Sequence, residues 1–312
     1  MSFFPIAPGH EIAGVVRAVG DKVTNFKVGD NVGVGCMVDS CKTCDLCKAG
    51  LEQHCTGMVQ TYGTPFPEGR GDNFKSAVGS HTNGGYTSAI TVNERFVFSI
   101  PDGMDMKYAG VLLCAGITTF SPLNRHILQK GGGKGKTVGV VGFGGLGQMA
   151  VKLAKAMGVD SVTILSRSAS KKAEADRLGC EYLVYNDEEA LAKATRTFDV
   201  VLDTVAAPHG IAKMTSVLKV GGTWVLLGGV PKPFEVSAFA MLFSRISIEG
   251  SLIGGVPETQ EMLDFCAAHK IVPEYEVIDA KDADAQFKAL IAGTASANRK
   301  VIDMSTLKAM MA

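Results

Sequence analysis

The chain has 312 residues, 46% of them hydrophobic and 20% charged, which is enough apolar material for real cores and excludes an intrinsically disordered chain. At about 150 residues per domain, the length corresponds to two domains. Lysine plus arginine matches aspartate plus glutamate at 31 each, and this neutrality leaves no electrostatic footprint for nucleic acid or an anionic membrane.

The N-terminus, Met1-Ser2-Phe3-Phe4-Pro5, has no basic region followed by a long apolar stretch, so no secretory signal is read and a cytoplasmic location is expected. The two longest runs free of Asp, Glu, Lys and Arg, 76–93 and 108–124, are interrupted by Gly, Ser and Thr and do not read as membrane spans. Glycine is abundant, at 37 residues, which predicts many tight turns and close backbone approaches.

Pro8-Gly9 precedes His10-Glu11. Taken singly, His10 reads as a turn or core histidine; Gly14 in place of a second histidine removes the H-E-x-x-H metalloprotease pattern. Residues 12–19, 21–28 and 30–34 read as short strands separated by turns. Cys41, Cys44, Cys47 and Cys55 follow in the order C-x2-C-x2-C-x7-C. Thiolates two residues apart can turn back on one ion, and four complete the closed tetrahedral shell of a structural zinc. Such a set can also hold an iron–sulfur cluster, but nothing in the chain points to electron transfer and zinc is preferred. Cys36, Cys180 and Cys266 stand alone beside apolar neighbours and read as core residues. Further strands are expected at 84–92 and 96–100, and short strands at this spacing predict a small barrel. A helix is expected over 104–116, with Cys114 reading by itself as a buried thiol.

From residue 137 strand and helix alternate. The apolar run 137–141 suits a buried parallel strand. Gly142-Phe143-Gly144-Gly145-Leu146-Gly147 then fits G-x-G-x-x-G, and Leu146, Met149, Ala150, Leu153, Ala154 and Met157 recur at helical spacing. Further strands read at 161–165, 182–184, 199–202, 223–227 and 246–248, with a helix over 171–178. Six strands with intervening helices make an α/β doubly wound parallel sheet of the Rossmann kind. The glycines let backbone approach a pyrophosphate at the helix N-terminus. Gly135-Lys136-Thr137 is not a Walker A end, because position 130 is Lys130 and a strand follows. Where an acidic residue would hold the ribose of NAD, the chain has Ser166-Arg167-Ser168 with Lys171 and Lys172 behind. Hydroxyls and cations there favour the 2′-phosphate of NADP.

These motifs together resemble the zinc-dependent medium-chain alcohol dehydrogenases, specifically the cinnamyl alcohol dehydrogenase group and its bacterial, broad-range NADP-dependent aldehyde reductases. The resemblance rests on Pro8 to Glu11, the four-cysteine lobe, Leu112-Leu113-Cys114-Ala115-Gly116-Ile117-Thr118, the glycine loop, Ser251-Leu252-Ile253-Gly254-Gly255 and Arg299-Lys300-Val301-Ile302-Asp303. It implies a GroES-like partial β-barrel catalytic domain over 1–114, a Rossmann NADP domain over 115–252, and a segment 253–312 that returns to the catalytic domain. It implies His10 and Cys114 as catalytic-zinc ligands with Glu11 as a nearby or alternative ligand, and Cys41, Cys44, Cys47 and Cys55 around structural zinc. Thr118, Gly142, Phe143, Gly144, Gly145, Leu146, Gly147, Ser166, Arg167, Ser168, Lys171, Thr204, Gly228, Ser251, Leu252 and Ile253 would contact NADP. The implied reaction is hydride transfer between NADP(H) and a small-molecule alcohol or aldehyde, with zinc acting as Lewis acid. The implied assembly is a homodimer without nucleic-acid or membrane partners.

Family members carry an additional N-terminal segment with a third catalytic-zinc ligand, a cysteine, and a proton relay, whereas only Met1 to Pro8 precede Gly9 here. Two ligands plus Glu11 predict one tight zinc in the lobe and a weak or absent second one. The alternative reading is therefore a chain that binds NADPH and zinc without catalysis. A zinc-independent quinone reductase relative is disfavoured by His10, Cys114 and the lobe. Gln60 and Leu252 stand where plant monolignol enzymes carry aromatic residues, which favours broad aliphatic and aromatic aldehydes.

Overall fold

The computed structural model describes residues 4–65, 81–294 and 298–307. The chain divides into two units, Met1–Ile117 with Ile253–Ala312, and Thr118–Leu252.

The first unit opens with β1 (Ile12–Val15) and β2 (Asn31–Val34), antiparallel with Ala13 opposite Gly33. A short two-stranded sheet follows, β3 (Met37–Asp39) with β4 (Val59–Gln60), and β5 (Phe98–Ser99) then pairs with β2. Among the described residues these strands form the sheet β1-β2-β5 and the separate β3–β4 pair. Val34, Val38 and Val59 are buried beneath them, with Ile12, Val92 and Val97 against these valines. The helix Met106–Val111 starts at Asp105, whose side chain accepts from the Lys107 N–H, and passes into a π-helical turn, Leu112–Gly116. Gly110 lets this helix lie on β1: a Cβ there would stand 2.7 Å from the Glu11 carbonyl oxygen.

The second unit is a six-stranded parallel sheet. Its strands are β6 (Thr137–Val141), β7 (Ser161–Ser166), β8 (Glu181–Val184), β9 (Phe198–Asp203), β10 (Leu218–Leu226) and β11 (Ser247–Gly250). Their spatial order, β8-β7-β6-β9-β10-β11, reverses between β6 and β9, the switch point where such sheets bind ligands. Strands buried on both faces read as continuous apolar runs, and Val138, Val140, Val141, Ile164, Leu165, Val201 and Leu202 are all buried. Trp224, fully buried in β10, donates its indole N–H to Asp203 Oδ2 at 3.1 Å; truncating such a side chain costs about 3–5 kcal/mol.

The chain then returns to the first unit through the helix Val256–Ala268 and the parallel pair β12 (Tyr275–Asp279) and β13 (Arg299–Asp303). No helix among the described residues is long and apolar enough to cross a membrane.

Three expectations need correction. Residues 84–92 form no strand, because the N–H groups of Gly84, Gly85 and Tyr86 donate to the carbonyls of Ala7, Gly9 and Pro8, which anchors this segment as a loop against the Gly9-His10 turn. Residues 21–28 likewise form turns without a strand. The helix expected over 104–116 is regular only to Val111, with the π-helical turn after it.

Candidate active site and metal centres

Four elements of the first unit converge on one polar cluster. Gly9, at φ +100, turns the chain so that His10 and Glu11 enter just before β1. A side chain on Gly84 would lie 2.0 Å from the Gly9 carbonyl oxygen, so the loop against this turn also requires glycine. Cys114 sits within the π-helical turn, a backbone form that concentrates at functional sites. His10 Nε2 lies 3.2 Å from Cys114 Sγ, and the His10 ring stacks on Tyr62 with centroids 5.8 Å apart. From β13, Arg299 Nη1 stands 3.5 Å from Glu11 Oε1.

A second sulfur comes from Cys36. The ligand atoms of His10, Cys36 and Cys114 all lie within 4.8 Å of one another, which corrects the reading of Cys36 as an isolated core residue. Glycines bring it there. A Cβ on Gly35 would be 3.0 Å from the Leu113 carbonyl oxygen, and one on Gly33 would be 2.5 Å from Leu113 Cδ1, so the end of β2 abuts the π-helical turn. Thr61 fixes the same corner, donating Oγ1–H to the Gly35 carbonyl at 2.5 Å and N–H to the Cys36 carbonyl at 3.1 Å. The sequence signal was a cysteine directly after Gly-x-Gly at a strand end, where small residues mark close approach.

The cluster is strongly polarised. The hydrogen bond from Cys36, together with His10, outweighs burial and holds the Cys114 thiol down to about 4. Its partner Cys36 is correspondingly pushed up, and the Cys114 hydrogen bond raises His10. Burial lifts the Glu11 carboxyl to about 7 against the opposing pull of Arg299. An adjacent imidazole and thiolate in half-buried surroundings form a donor set suited to a divalent borderline-soft metal.

The lobe carries the other set. Cys41, Cys44, Cys47 and Cys55 place their sulfurs within 4.8 Å of one another. The Cys44 N–H donates to Cys41 Sγ at 3.3 Å, and backbone donors from Thr43 and Cys44 hold the Cys41 thiol down to about 6. The lobe is braced by buried Glu52, which accepts from Arg95 Nη2 at 3.3 Å and from the Val256 N–H at 3.0 Å. Both clusters fit zinc by donor type: four thiolates in the lobe, and imidazole with thiolate in the other.

In the second unit the glycine loop and Thr204 lie at the ends of β6 and β9, on either side of the switch point. Gly142, at φ +86, follows β6, and a Cβ on it would strike Val205 Cγ2 at 2.8 Å and Thr204 Oγ1 at 2.9 Å. Thr204 closes the gap after β9, donating both its N–H and its Oγ1–H to the Val141 carbonyl at 3.0 and 2.8 Å. Gly147 has no room for a side chain, because its Cβ would sit 2.3 Å from the Gly142 carbonyl oxygen. Gly144 is different. It caps the helix Gly145–Ala156 without a side-chain partner, and a Cβ there meets nothing within 4 Å. The fold leaves open space at Gly144, and helix N–H groups beside such a space suit a pyrophosphate. Lys171 Nζ donates to the Phe143 carbonyl at 2.8 Å and so pins the loop, while Ser166 ends β7 and Arg167 and Ser168 are exposed beyond it. Gly228 packs against the Val205 carbonyl at 2.3 Å from its notional Cβ, and the Ser251 N–H donates to Leu226 O at 3.0 Å. Thr118 is buried, Leu252 is half exposed, and Ile253 holds φ +40, a left-handed conformation that costs a β-branched residue about 1–3 kcal/mol.

The comparisons with known proteins agree with this arrangement. The alcohol dehydrogenase GroES-like domain family matches residues 1–102, and the zinc-binding dehydrogenase family matches residues 145–268. The chain is 49% identical over 308 residues to NADP-dependent alcohol dehydrogenase C 1 of Mycolicibacterium smegmatis, covering 98% of this chain and 84% of that one. Among solved structures it is similar to a cinnamyl alcohol dehydrogenase of Sorghum bicolor, at TM-score 0.89 and 37% identity over 97% of this chain and 83% of that one. It is also similar to the cinnamyl alcohol dehydrogenase of Helicobacter pylori complexed with NADP(H), at TM-score 0.84 and 39% identity over 98% of this chain and 84% of that one. With a GroES-like domain, a Rossmann sheet and two zinc-type donor sets in one chain, the protein belongs to the zinc-binding medium-chain alcohol dehydrogenases.

Proposed function

We propose that the chain is an NADP(H)- and zinc-dependent alcohol dehydrogenase or aldehyde reductase acting on small aliphatic and aromatic aldehydes. The observation that carries this reading is the juxtaposition of His10 and Cys114, 3.2 Å apart and 104 residues apart in sequence, in a chain that also has an NADP-type glycine loop. When bound, zinc supplies Lewis-acid polarisation of the substrate oxygen and the nicotinamide supplies the hydride.

The remaining roles fall to the protein's own groups. His10 and Cys114 hold the catalytic ion, and Glu11 stays paired with Arg299 as an alternative ligand that offsets the guanidinium charge. Cys41, Cys44, Cys47 and Cys55 hold structural zinc and keep the lobe folded. Gly142 to Gly147 receive the pyrophosphate, with Gly144 leaving the space for it and Lys171 fixing the loop. Ser166, Arg167 and Ser168 face the 2′-phosphate by hydroxyl and guanidinium donors, and Thr118, Thr204, Gly228 and Ser251 to Ile253 complete the cofactor contacts. The first unit is the catalytic domain and the second the cofactor domain.

We also propose a homodimer. The helix Ala238–Ser244, which leads into the edge strand β11, exposes Phe239, Leu242 and Phe243 at 71%, 72% and 78%. Eight free cysteines, two sets of them arranged for metal, suit a reducing compartment, and we place the protein in the cytoplasm. The function is tested by following NADPH consumption with a panel of aldehydes. Turnover on short aliphatic and benzylic aldehydes is expected, and no turnover with any of them by the zinc-loaded protein would refute it.

A further inference from the structure

We infer that His209 is a positioning residue for the cofactor site, closing the loop 204–210 into a preformed wall for the nicotinamide half of NADP(H). This rests on the reading that the glycine loop binds that cofactor. The loop follows Asp203, the last residue of β9, and runs to the helix Ile211–Met214. His209 ties it together: Nδ1 lies 2.8 Å from the Ala207 carbonyl oxygen, and Nε2 lies 2.8 Å from Asp203 Oδ2. The His209 and Asp203 side chains are only 4% and 1% exposed, so water competes little for these bonds. Asp203 is held in turn by the Trp224 indole N–H, which donates to Oδ2 at 3.1 Å, and by the Val205 N–H, which donates to Oδ1 at 3.2 Å. A carbonyl oxygen only accepts, so Nδ1 carries a proton, and the Nε2–Oδ2 contact needs a further proton between its two atoms. Both ring nitrogens are thus used by the protein, and neither is left to meet a substrate.

The clamped loop lies against the glycine loop. Thr204 is bonded to the Val141 carbonyl, and a Cβ on Gly142 would strike Val205 Cγ2 at 2.8 Å. On the other side a Cβ on Gly228 would stand 2.3 Å from the Val205 carbonyl oxygen, and the Leu227 and Gly228 N–H groups donate to the Asp203 carbonyl at 2.9 and 3.1 Å. The first part of the loop is therefore gripped by the ends of β6 and β10. Residues 206–208 are exposed, and His209 restrains them from the far end. In a sheet of this kind the ribose that carries the 2′-phosphate is read at the end of the second strand, here β7, and the pyrophosphate at the loop after β6. β9 lies on the opposite side of β6 from β7, which assigns loop 204–210 to the part of the cofactor beyond the pyrophosphate. Without the clamp the loop would be ordered only on binding, and ordering a single backbone residue at that moment lowers affinity about tenfold.

The test compares NADPH with adenosine 2′,5′-bisphosphate, which keeps the 2′-phosphate end of the cofactor and lacks the nicotinamide, by calorimetric titration of the full chain and of His209→Ala. Asp203 keeps its Trp224 and Val205 donors in that variant, so the sheet is expected to stay folded, as a thermal melt checks. His209→Ala is expected to lose at least about tenfold in NADPH affinity and to hold the bisphosphate within about twofold of the parent. Parent-level NADPH affinity in His209→Ala overturns the inference and leaves the cofactor reading standing. Equal loss for both ligands assigns the pair to the stability of the whole unit and also overturns it. A parent that binds neither ligand sinks the cofactor reading itself, and the inference with it. A readout without substitution is amide hydrogen exchange of the parent. NADPH is expected to slow exchange across 204–210 and the bisphosphate to leave it unchanged; the same rates with both ligands overturn the inference.

Discussion

Replacing Gly147 by alanine places a Cβ 2.3 Å from the Gly142 carbonyl oxygen and 3.1 Å from its carbonyl carbon, both backbone atoms that cannot swing aside. Overpacking of this kind costs about 1–3 kcal/mol, and the better helix propensity of alanine returns at most about 1 kcal/mol. With a backbone overlap at 2.3 Å the cost lies at the upper end, so the net loss is about 2 kcal/mol and corresponds to a fall in Tm of roughly 4–8 °C. Replacing Gly144 by alanine meets nothing within 4 Å, at φ −100, which any residue adopts. The unfolded-state gain of about 0.4–1 kcal/mol is offset by the poor helix-capping preference of alanine, so Tm stays within about 2 °C of the parent. On the proposed function the added methyl enters the space for the pyrophosphate, and NADPH affinity is expected to fall at least about tenfold, or ~1.4 kcal/mol. Calorimetry and nicotinamide fluorescence titration on both variants separate the two roles. An unchanged Tm in Gly147→Ala, or full NADPH affinity in Gly144→Ala, would refute the assignment of the first glycine to packing and the second to the ligand.

Ser166→Asp should turn preference from NADPH toward NADH, since a carboxylate about 4 Å from a 2′-phosphate is repelled by up to ~4 kcal/mol before screening at an effective dielectric of 20; parallel titration of both cofactors measures the ratio, and equal loss for both contradicts the 2′-phosphate reading. Cys44→Ser should release the lobe zinc and destabilise the fold by several kcal/mol, read as one fewer zinc per chain and a lower Tm. Asp199 accepts from Lys219 Nζ at 2.7 Å and the Thr137 N–H at 2.9 Å; burial raises its carboxyl, but these donors prevail and hold it below the usual range. Asp199→Asn is therefore expected to cost about 1–2 kcal/mol at neutral pH. The stability difference from the parent should be full above the ordinary carboxylate pKa of ~3.9 and vanish as pH falls through the lower folded value; a difference that grows on acidification would contradict the sign.

The second unit was almost wholly legible because its strands are buried on both faces and spell themselves as apolar runs, from 137–141 to 199–202, with the glycine loop between strand and helix. The lobe was legible because its four thiols lie within one short stretch. The barrel wall was not. Gly84-Gly85-Tyr86 resembles a strand entry, yet its N–H groups go to the Pro8-Gly9 turn, a pairing between distant segments that local pattern does not encode. Cys36 escaped for the same reason. Its neighbours in the sequence are apolar, and only the folding of β2 against the turn at Cys114 brings it beside His10. Arg299 was visible as a motif residue, but its pairing with Glu11 depends on β13 returning to the first unit.

The most direct measurement of the central claim is NADPH-dependent aldehyde reduction by the zinc-loaded chain and by His10→Ala, with NADPH binding measured on both. The account predicts turnover in the parent, a loss of at least about 100-fold in His10→Ala, and equal NADPH affinity in the two, because His10 belongs to the metal cluster and the cofactor loop lies in the other unit. Turnover in His10→Ala equal to that of the parent, or none in the zinc-loaded parent, would contradict it.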